Sequence, residues 1–176
     1  MSAHDVDEAL AGSGQRKIDW ARRGMPILAS IQARLVASGA LGGHRIGISL
    51  VLEPKTANLV LALREAGADP SVWAPADCVQ EDVVHALRAR GIKVFADARA
   101  SEAADMELAR AFLATGPQLL VDDGARIIRL AHREFPDVVR NMIGAAEETT
   151  SGVRPLKAMH DAGKLHVPVI NVNDSR

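Results

Sequence analysis

The chain has 176 residues, 48% of them hydrophobic and 24% charged, and its 21 Lys and Arg residues nearly balance its 22 Asp and Glu residues. A globular domain of this length buries roughly 70% of its unfolded surface, so one domain with a substantial core is expected. The balanced charge, together with no Tyr and three Phe residues, excludes the basic and aromatic surface with which proteins bind nucleic acids.

The cysteine content and the N-terminal sequence indicate in which cellular compartment the protein is expected. Cys78 has no second cysteine with which to form an intrachain disulfide, which is typical of a reducing environment. The acidic N-terminal residues Asp5, Asp7 and Glu8 do not form a signal peptide. No window approaches the roughly 20 apolar residues that cross a bilayer. We therefore predict a cytoplasmic protein that does not bind membranes.

In chain order, the first 16 residues are small and polar and predict a flexible arm. From residue 17 onward, short apolar strand patterns alternate with helix patterns that end near Gly or Pro. We predict helices over residues 26–38, 54–65, 81–90, 102–114, 126–134 and 153–162. We predict strands over residues 45–52, 71–74, 92–96, 118–122, 139–145 and 167–172.

The predicted strands are continuous apolar runs, for example Ile46–Leu52 and Gln118–Asp122. Strands that are buried on both faces have this pattern, as in a parallel sheet covered by helices. The alternation of strand and helix therefore predicts a doubly wound, Rossmann-like α/β domain over residues 17–176, with a mostly parallel sheet and helices on both faces.

Polar and charged residues follow four of the predicted strands. They are Glu53, Lys55, Asp122, Asp123, Glu147, Glu148, Thr149, Asn173 and Asp174. In an open parallel sheet, ligands bind at the carboxyl ends of the strands. Some of these residues could instead cap the following helices, since Asp and Thr are preferred caps. Several carboxylates at one edge repel one another, and a ribose with vicinal hydroxyls would satisfy them with hydrogen bonds. The pattern leaves both explanations open.

Other chemical motifs are weak. No Gly-x-Gly-x-x-Gly motif follows a predicted strand, so the sequence offers no dinucleotide-binding loop. His132, His160 and His166 lack the spacing of metal ligands, and we predict no metal site. The edge of the sheet is therefore the candidate site.

Several segments, taken in order, resemble the S-adenosylhomocysteine hydrolase family. They are Ile18–Ala21 with Met25-Pro26, Ile46–Ala57, Val121–Gly124, Glu147–Val153 and Val169–Ser175. The Leu-Glu-x-Lys-Thr-Ala sequence in the second segment most resembles archaeal and thermophilic members, some of which favour the inosine form of the substrate. The likeness extends over nearly the whole chain.

The resemblance implies the substrate-binding half of such an enzyme, with a purine nucleoside or an S-adenosylhomocysteine-like thioether as ligand. In the family, bound NAD oxidises the ribose 3′-hydroxyl, homocysteine leaves, water adds and the ketone is reduced. Because the likeness ends at the hinge before the NAD-binding domain, we expect NAD to be supplied by a partner chain. We also expect a homo-oligomer or a complex with that chain.

The resemblance assigns roles to residues at the sheet edge. Asp123 and Glu148 correspond to catalytic carboxylates, Asp123 near the reacting ribose and sulfur and Glu148 on a ribose hydroxyl. Both also belong to the substrate-binding set. The other implied substrate-binding residues are Glu53, Lys55, Thr56, Thr149 and Asn173, of which Glu53 and Lys55 would recognise the base. The residues implied to contact the cofactor are Thr149, Thr150 and Ser151.

The chain also departs from the family pattern. Val51 stands where the family has a histidine, and Arg126 stands where it has an acid. Of the family's Asn-x-x-Ser-Thr-Gln-Asp loop only Gln80 remains, and its Trp-Lys-Gly-Glu sequence is replaced by residues 97–100. Three hypotheses remain: a subunit of a split enzyme, a nucleoside-binding protein without catalysis, or a fragment of a full-length homologue.

Overall fold

The computed structural model describes residues 3–173, so the predicted strand-end residues Asp174 and Ser175 lie outside the described residues. The helices are α1 (Ala3–Arg22), α2 (Pro26–Ser38), α3 (Pro54–Glu65), α4 (Glu81–Ala89), α5 (Glu102–Leu113), α6 (Arg126–Glu134), α7 (Pro136–Asn141) and α8 (Thr150–Asp161). The strands are β1 (Arg45–Ser49), β2 (Asp69–Trp73), β3 (Lys93–Phe95), β4 (Leu119–Asp122), β5 (Gly144–Glu147) and β6 (Val169–Asn171).

The six strands form one parallel sheet in the order β3-β2-β1-β4-β5-β6. Successive strands are added outward on one side from β1 to β3 and on the other side from β4 to β6, so the strand order reverses between β1 and β4, as in doubly wound nucleotide-binding folds. The predicted fold class is therefore confirmed. Burial explains why the strands were recognisable, since Ile48 and Leu120 in the central strands are almost completely buried.

Two clusters of buried side chains form the core. The first includes Ile18, Ile48 and Leu87 and joins the sheet to α1, α3 and α4. The second includes Phe112 and Leu120 and joins the sheet to α5, α6 and α8. Helices therefore cover both faces of the sheet. No helix within residues 3–173 is long and apolar enough to cross a membrane.

The N-terminal segment differs from the predicted flexible arm, because residues 3–16 belong to helix α1. Gly14 lets α1 approach α4 closely: a Cβ at this position would lie 2.0 Å from the carbonyl oxygen of Asp82. Ser13 Oγ donates a hydrogen bond of 2.9 Å to the Asp82 carboxylate, and Lys17 Nζ forms a 2.7 Å ion pair with it. Small residues that suggested disorder are thus a helix-packing surface.

The segment 139–145, predicted as one strand, is divided between a helix and a strand. Helix α7 begins at Pro136, a favoured first helical residue, and runs to Asn141. Strand β5 begins only at Gly144. The valines of this segment suggested a strand, but Val139 packs in the core from within the helix. Tertiary packing therefore outweighs local strand propensity here.

An open apolar groove lies beside α3, over β4, β5 and β6. Its volume is 440 Å³, and its lining includes Leu59, Leu63, Val121, Ile143, Ala146 and Ile170. Ile143 and Ile170 are 53% and 68% exposed. We refer to this surface as the apolar groove.

Candidate functional site

The polar strand ends meet where the order of the sheet reverses. Ser49 ends β1 between Trp73 of β2 and Asp122 of β4, and Asp122 lies beside Glu147 of β5. A crevice of 240 Å³ opens at this position, which is where doubly wound sheets bind ligands. We call it the switch-point crevice. Its lining includes Ser49, Val51, Trp73, Cys78, Asp123 and Arg126.

Asp122 is fully buried and holds the loop after β4. One of its carboxylate oxygens accepts hydrogen bonds from Ser49 Oγ (2.6 Å) and from the backbone N–H of Asp123 (3.1 Å). The other oxygen accepts from two backbone N–H groups in the first turn of α6, at 2.9 and 2.8 Å. Burial raises the pKa of Asp122 to about 7 and the charge of Glu147 adds to this rise, while the hydrogen bonds act in the opposite direction.

Glu147 is also fully buried, and it joins the loops that follow β4 and β5. Its carboxylate accepts hydrogen bonds of 2.9 Å from the backbone N–H groups of Gly124, Ala125 and Thr149. Thr149 Oγ1 donates a further hydrogen bond of 2.6 Å. Ala125 has a φ of 55°, a left-handed conformation that costs energy in a residue with a Cβ, and Glu147 holds it there. A Cβ on Gly152 would lie 2.2 Å from the Glu147 carboxylate, so only glycine fits.

Each of these two buried acids is followed in the sequence by an acid that is more accessible to solvent. Asp123 is partly exposed and lines the switch-point crevice, and Glu148 is exposed at the end of β5. Partial burial raises the pKa of Glu148, and the negative charges of Asp123 and then Glu147 raise it further. Asp123 and Glu148 are therefore near neighbours, and both are accessible to a ligand.

Glu53 and Lys55, which follow β1, border a hollow other than the switch-point crevice. Glu53 caps α3, and its Oε1 accepts a hydrogen bond of 3.0 Å from the backbone N–H of Lys55. Both residues border a hollow of 580 Å³ between α1 and the start of α3, which Trp20 also lines. Thr56, in the first turn of α3, is partly buried. The structure thus places Glu53 and Lys55 at the same edge of the sheet as Asp123 but outside the switch-point crevice.

The hydroxyl residues at the start of α8 are not equivalent. Thr149 caps the helix, and its hydroxyl proton is used in the hydrogen bond to Glu147. Thr150 and Ser151 are exposed, and Asn173 Nδ2 donates a hydrogen bond to Thr150 Oγ1. Thr150 and Ser151 therefore present accessible hydroxyls, whereas Thr149 stabilises the loop.

Sequence reasoning missed three residues of the crevice as functional candidates. Arg126 is exposed at the first position of α6, and its charge lowers the pKa of the Cys78 thiol. That effect is outweighed, because burial and the neighbouring Asp77 raise the pKa of Cys78 overall. Trp73 ends β2 and is 3% exposed. The departure of Arg126 from the family pattern was the one available signal, because nothing in the sequence marks Trp73 or Cys78.

A larger hollow of 670 Å³ lies between α8 and β6. Its lining includes Lys157, His160 and His166 but neither Asp123 nor Glu148. Glu147 and Asn171, at the ends of β5 and β6, also line it, so it borders the carboxyl edge of the sheet but is separate from the switch-point crevice. In the described part of the chain, no three His, Cys, Asp or Glu side chains are grouped in a way that would hold a metal ion.

Comparison with known proteins identifies a matching family. The model of the family "S-adenosyl-L-homocysteine hydrolase" matches residues 3–135 and 125–176. The chain is 39% identical over 165 residues to an adenosylhomocysteinase of Thermotoga maritima. The aligned residues cover 93% of this chain and 41% of that protein. The chain is 40% identical over 172 residues to an S-inosyl-L-homocysteine hydrolase of Methanopyrus kandleri, covering 97% of this chain and 40% of that protein.

A third similar protein is an adenosylhomocysteinase of Thermococcus kodakarensis, 40% identical over 170 residues, which cover 96% of this chain and 40% of that protein. The chain therefore spans about two fifths of the length of the curated relatives it matches.

Proposed function

Because the chain belongs to the S-adenosyl-L-homocysteine hydrolase family, we propose that it is the substrate-binding part of such a hydrolase. Its ligand is a purine nucleoside or the corresponding 5′-thioether, bound at the carboxyl ends of β1, β4 and β5. The observation that supports this most is that the four acids at the strand ends have two different environments. Asp122 and Glu147 are buried and accept hydrogen bonds from the protein itself, whereas Asp123 and Glu148 remain accessible beside each other.

The ribose is the part of the ligand that suits this pair. Vicinal hydroxyls donate hydrogen bonds to carboxylates and relieve their mutual repulsion, which is strongest when no donor lies between them. In the proposed complex, Glu148 accepts hydrogen bonds from the ribose hydroxyls, and Asp123 lies near the 5′-carbon and its sulfur. Both are the catalytic residues of the proposed reaction.

In the proposed complex, the purine base occupies the hollow between α1 and the start of α3. Lys55 Nζ can only donate hydrogen bonds and so pairs with the oxo group of hypoxanthine, whereas the Glu53 carboxylate accepts from the amino group of adenine. Both residues border the same hollow. Among the three relatives described above, one is named for the inosyl substrate and two for the adenosyl form. Thr56, Thr149 and Asn173 complete the proposed substrate shell, with Thr149 acting through the loop that it holds.

The cofactor of the proposed reaction is NAD, carried by a partner chain or by a further part of the same enzyme. NAD supplies the hydride acceptor that makes the ribose oxidation possible. Within this chain, Thr150 and Ser151 present the accessible hydroxyls toward it, and Asn173 orients Thr150. The apolar groove is the proposed contact with the partner or with a second copy of the chain, since exposed apolar patches mark interfaces.

A second candidate function is nucleoside binding without turnover. It is supported by Val51, which is 44% exposed and lines the crevice where the family resemblance implies a histidine. An apolar side chain cannot transfer a proton. A fragment of a longer hydrolase is the third reading, and it shares the proposed binding site.

Calorimetry with adenosine and inosine tests the proposal, with their 2′,3′-dideoxy forms as ligand controls. We expect at least one nucleoside to bind and its dideoxy form to bind much more weakly. Glu148→Ala should weaken binding about tenfold or more, since a hydrogen bond to a charged group contributes about 1.5–3 kcal/mol. Glu107→Ala, which removes an exposed acid on α5, is the matched control.

The melting temperature distinguishes binding from folding. If Glu148 only supports the loop, Glu148→Ala lowers the melting temperature and leaves nucleoside affinity unchanged. That result, or equal affinity for the ribose and dideoxyribose forms, would refute the proposed site.

A further inference from the structure

Two hydrogen bonds fix the protonation state of His132. Its Nδ1 lies 2.8 Å from the backbone carbonyl oxygen of Ile128, and its Nε2 lies 3.1 Å from the backbone nitrogen of His166. A carbonyl oxygen can only accept a hydrogen bond, and a backbone N–H can only donate one. Nδ1 therefore carries the proton of the ring and Nε2 is the acceptor, so this contact is made by the neutral form of His132.

The contact joins two parts of the chain that are distant in sequence. His132 lies in the last turn of α6, and His166 is 34 residues further on, in the connection between α8 and β6 (residues 162–168). The two imidazole rings also stack, with centroids 5.9 Å apart and planes inclined by 24°. Val167 is buried directly after this contact. His132 thus holds the α8–β6 connection against α6 just before the chain enters β6.

The α8–β6 connection in turn positions β6. The carbonyl oxygen of Pro168, the last residue of the connection, accepts a hydrogen bond of 2.9 Å from the backbone N–H of Ala145 in β5. At the other end of β6, the backbone N–H of Val172 donates to the Glu147 carbonyl oxygen, also at 2.9 Å. Among residues 3–173, β6 is an edge strand that pairs with β5 alone. A displacement of the connection is therefore transmitted to a strand that has support on one side.

A second proton on His132 is incompatible with this contact. Protonation of Nε2 replaces the acceptor with a donor that faces the N–H of His166, so the hydrogen bond is lost and the amide has no partner there. Histidine is the side chain that ordinarily changes its charge between about pH 5 and pH 8. The position of His132 in the last turn of α6 favours the charged ring, because the helix dipole is negative at that end. Mildly acidic pH thus charges the ring at the expense of the contact.

The charged groups on the surrounding elements favour the separation of a charged His132 from the connection. Acids near it in the chain are already in ion pairs: Glu134 pairs with Arg110 of α5 and with Arg133, and Asp137 pairs with Arg140. Asp161 of α8 lines the same 670 Å³ hollow as His166. The basic groups on α5, α6, α7, α8 and the connection outnumber these acids; they are Arg110, Arg129, Arg133, Arg140, Lys157, His160, Lys164 and His166.

We propose that the contact between His132 and His166 is a pH-sensitive switch. Neutral His132 holds the α8–β6 connection on α6, and protonated His132 releases the connection and loosens β6. Release alters the hollow between α8 and β6, which His166 and Val169 line, and the side of the apolar groove that Ile170 forms. The stabilising contribution of the contact is therefore present at neutral pH and is lost as pH falls. This inference does not depend on which ligand binds at the carboxyl edge.

Nuclear magnetic resonance of the histidine rings tests the protonation state. At about pH 7.5, long-range ¹H–¹⁵N correlation spectra should show His132 as the neutral Nδ1–H tautomer, with signals assigned by their absence in His132→Gln. As pH is lowered to about 5, the backbone amide signal of His166 should shift together with the ring signals of His132. An Nε2–H tautomer at neutral pH, or an amide signal that does not follow the ring, would overturn the proposal.

Hydrogen exchange followed by mass spectrometry tests the release of the connection. We expect protection of residues 162–172, corrected for the intrinsic pH dependence of exchange, to fall about tenfold or more between about pH 7.5 and pH 5, while α3 stays protected. His132→Gln does not titrate and should abolish this pH dependence. His166→Gln keeps the backbone N–H and should retain most of it. His160→Gln, which removes an exposed histidine that lines the same hollow, is the matched control and should behave like the wild type.

Three results would refute the switch. The first is equal protection of residues 162–172 at both pH values in the wild type. The second is an unchanged pH dependence in His132→Gln. The third is a loss of protection throughout the chain at the lower pH, which would mean acid unfolding of the whole domain rather than a local release. If His132→Gln does not fold, the titration of the wild type by magnetic resonance decides, because it needs no variant that alters this contact: the ring signals are then assigned from His160→Gln and His166→Gln.

Discussion

At the scale of single residues, one position along a strand decides what each acid does. Side chains of successive residues at a strand end point in different directions. In β4 and β5 the first acid, Asp122 or Glu147, turns toward the backbone N–H groups of the next helix or loop. The following acid, Asp123 or Glu148, stays accessible. Asp122 and Glu147 hold the loops after the strands in place. The loops in turn position the accessible carboxylates of Asp123 and Glu148.

Asp122 should make the stability of the fold depend on pH. Its pKa is about 7 in the folded protein against an ordinary value of 3.8, so the folded state binds a proton more tightly than the unfolded state. Its stabilising contribution is therefore complete below pH 3.8 and is lost as pH rises through 7. We expect the free energy of unfolding to fall by about 2–3 kcal/mol between about pH 5 and pH 8 because of this group.

Urea unfolding at several pH values tests this, with Asp122→Asn as the variant. Asparagine keeps the shape of the side chain but does not titrate, so the variant should show a flatter pH profile. Asp82 is the contrasting case. Burial acts to raise its pKa, but hydrogen bonds from Lys17 and Ser13 outweigh that effect and lower it, so its contribution is lost as pH falls. An unchanged profile in Asp122→Asn would show that the pH dependence comes from other groups.

That the candidate site lies at the carboxyl edge of the sheet was predictable from sequence, because ligands bind at the carboxyl ends of parallel strands. The point where the strand order reverses was not predicted, because it depends on which strands pair in the folded sheet. The division of roles within each acid pair was not, because it depends on which side chain meets the α6 and α8 backbone. The crevice was not predictable either. Trp73 and Arg126 lie on different elements, and only the folded sheet brings them together.

At the scale of elements, α1 is the clearest case of tertiary contacts overriding local preference. Gly12 and Gly14 disfavour a helix in isolation, yet α1 continues through both and packs against α4. Gly14 is buried at the contact, whereas Gly12 is only partly buried. The other predicted helices were confirmed within a few residues because apolar faces and end signals agree there. Helix α1 packs against α4, which is distant in the sequence: Ser13 and Asp82 are 69 residues apart. A local sequence pattern therefore does not reveal this contact.

Two alanine substitutions in α1 test the contact. A Cβ on Gly14 would lie 2.0 Å from the Asp82 carbonyl oxygen, whereas a Cβ on Gly12 would lie 3.5 Å from the nearest atom, in the Arg16 side chain. We expect Gly14→Ala to lower the free energy of unfolding by about 1–3 kcal/mol or more through overpacking. Gly12→Ala should raise it by up to about 1 kcal/mol through helix propensity. Similar effects of both substitutions in urea unfolding would mean that α1 does not pack on α4 in this way.

At the scale of the whole molecule, the accessible groups and the apolar surface lie on parts of the same sheet. The strand ends present Asp123, Glu148 and Thr150 at the carboxyl edge. The apolar groove exposes Ile143 and Ile170 along β5 and β6. Leu119, Ile143 and Pro168 also line the groove, so it extends toward the amino ends of β4, β5 and β6. The proposed partner contact and the proposed ligand site therefore lie on different parts of the same sheet.

The isolated 176-residue chain should accordingly bind nucleosides without converting them. The relatives it matches are about two and a half times as long, since it covers 40–41% of them, and the proposed reaction needs a hydride acceptor held against the ribose. Val51 also leaves the crevice without the proton-transferring side chain that the family resemblance implies. With NAD and S-adenosylhomocysteine supplied, we expect a thiol assay to detect no homocysteine above background.

The full-length adenosylhomocysteinase of Thermotoga maritima is the positive control for the assay, and calorimetry on the same preparation verifies that the nucleoside site is folded. Clear turnover by the isolated chain would contradict the prediction and would mean that these residues alone position both substrate and cofactor. Binding without turnover, followed by turnover when a polypeptide carrying the remaining family length is added, would assign the reaction to the assembled pair. Absent turnover in that mixture, with nucleoside binding intact, would instead favour the non-catalytic binding function.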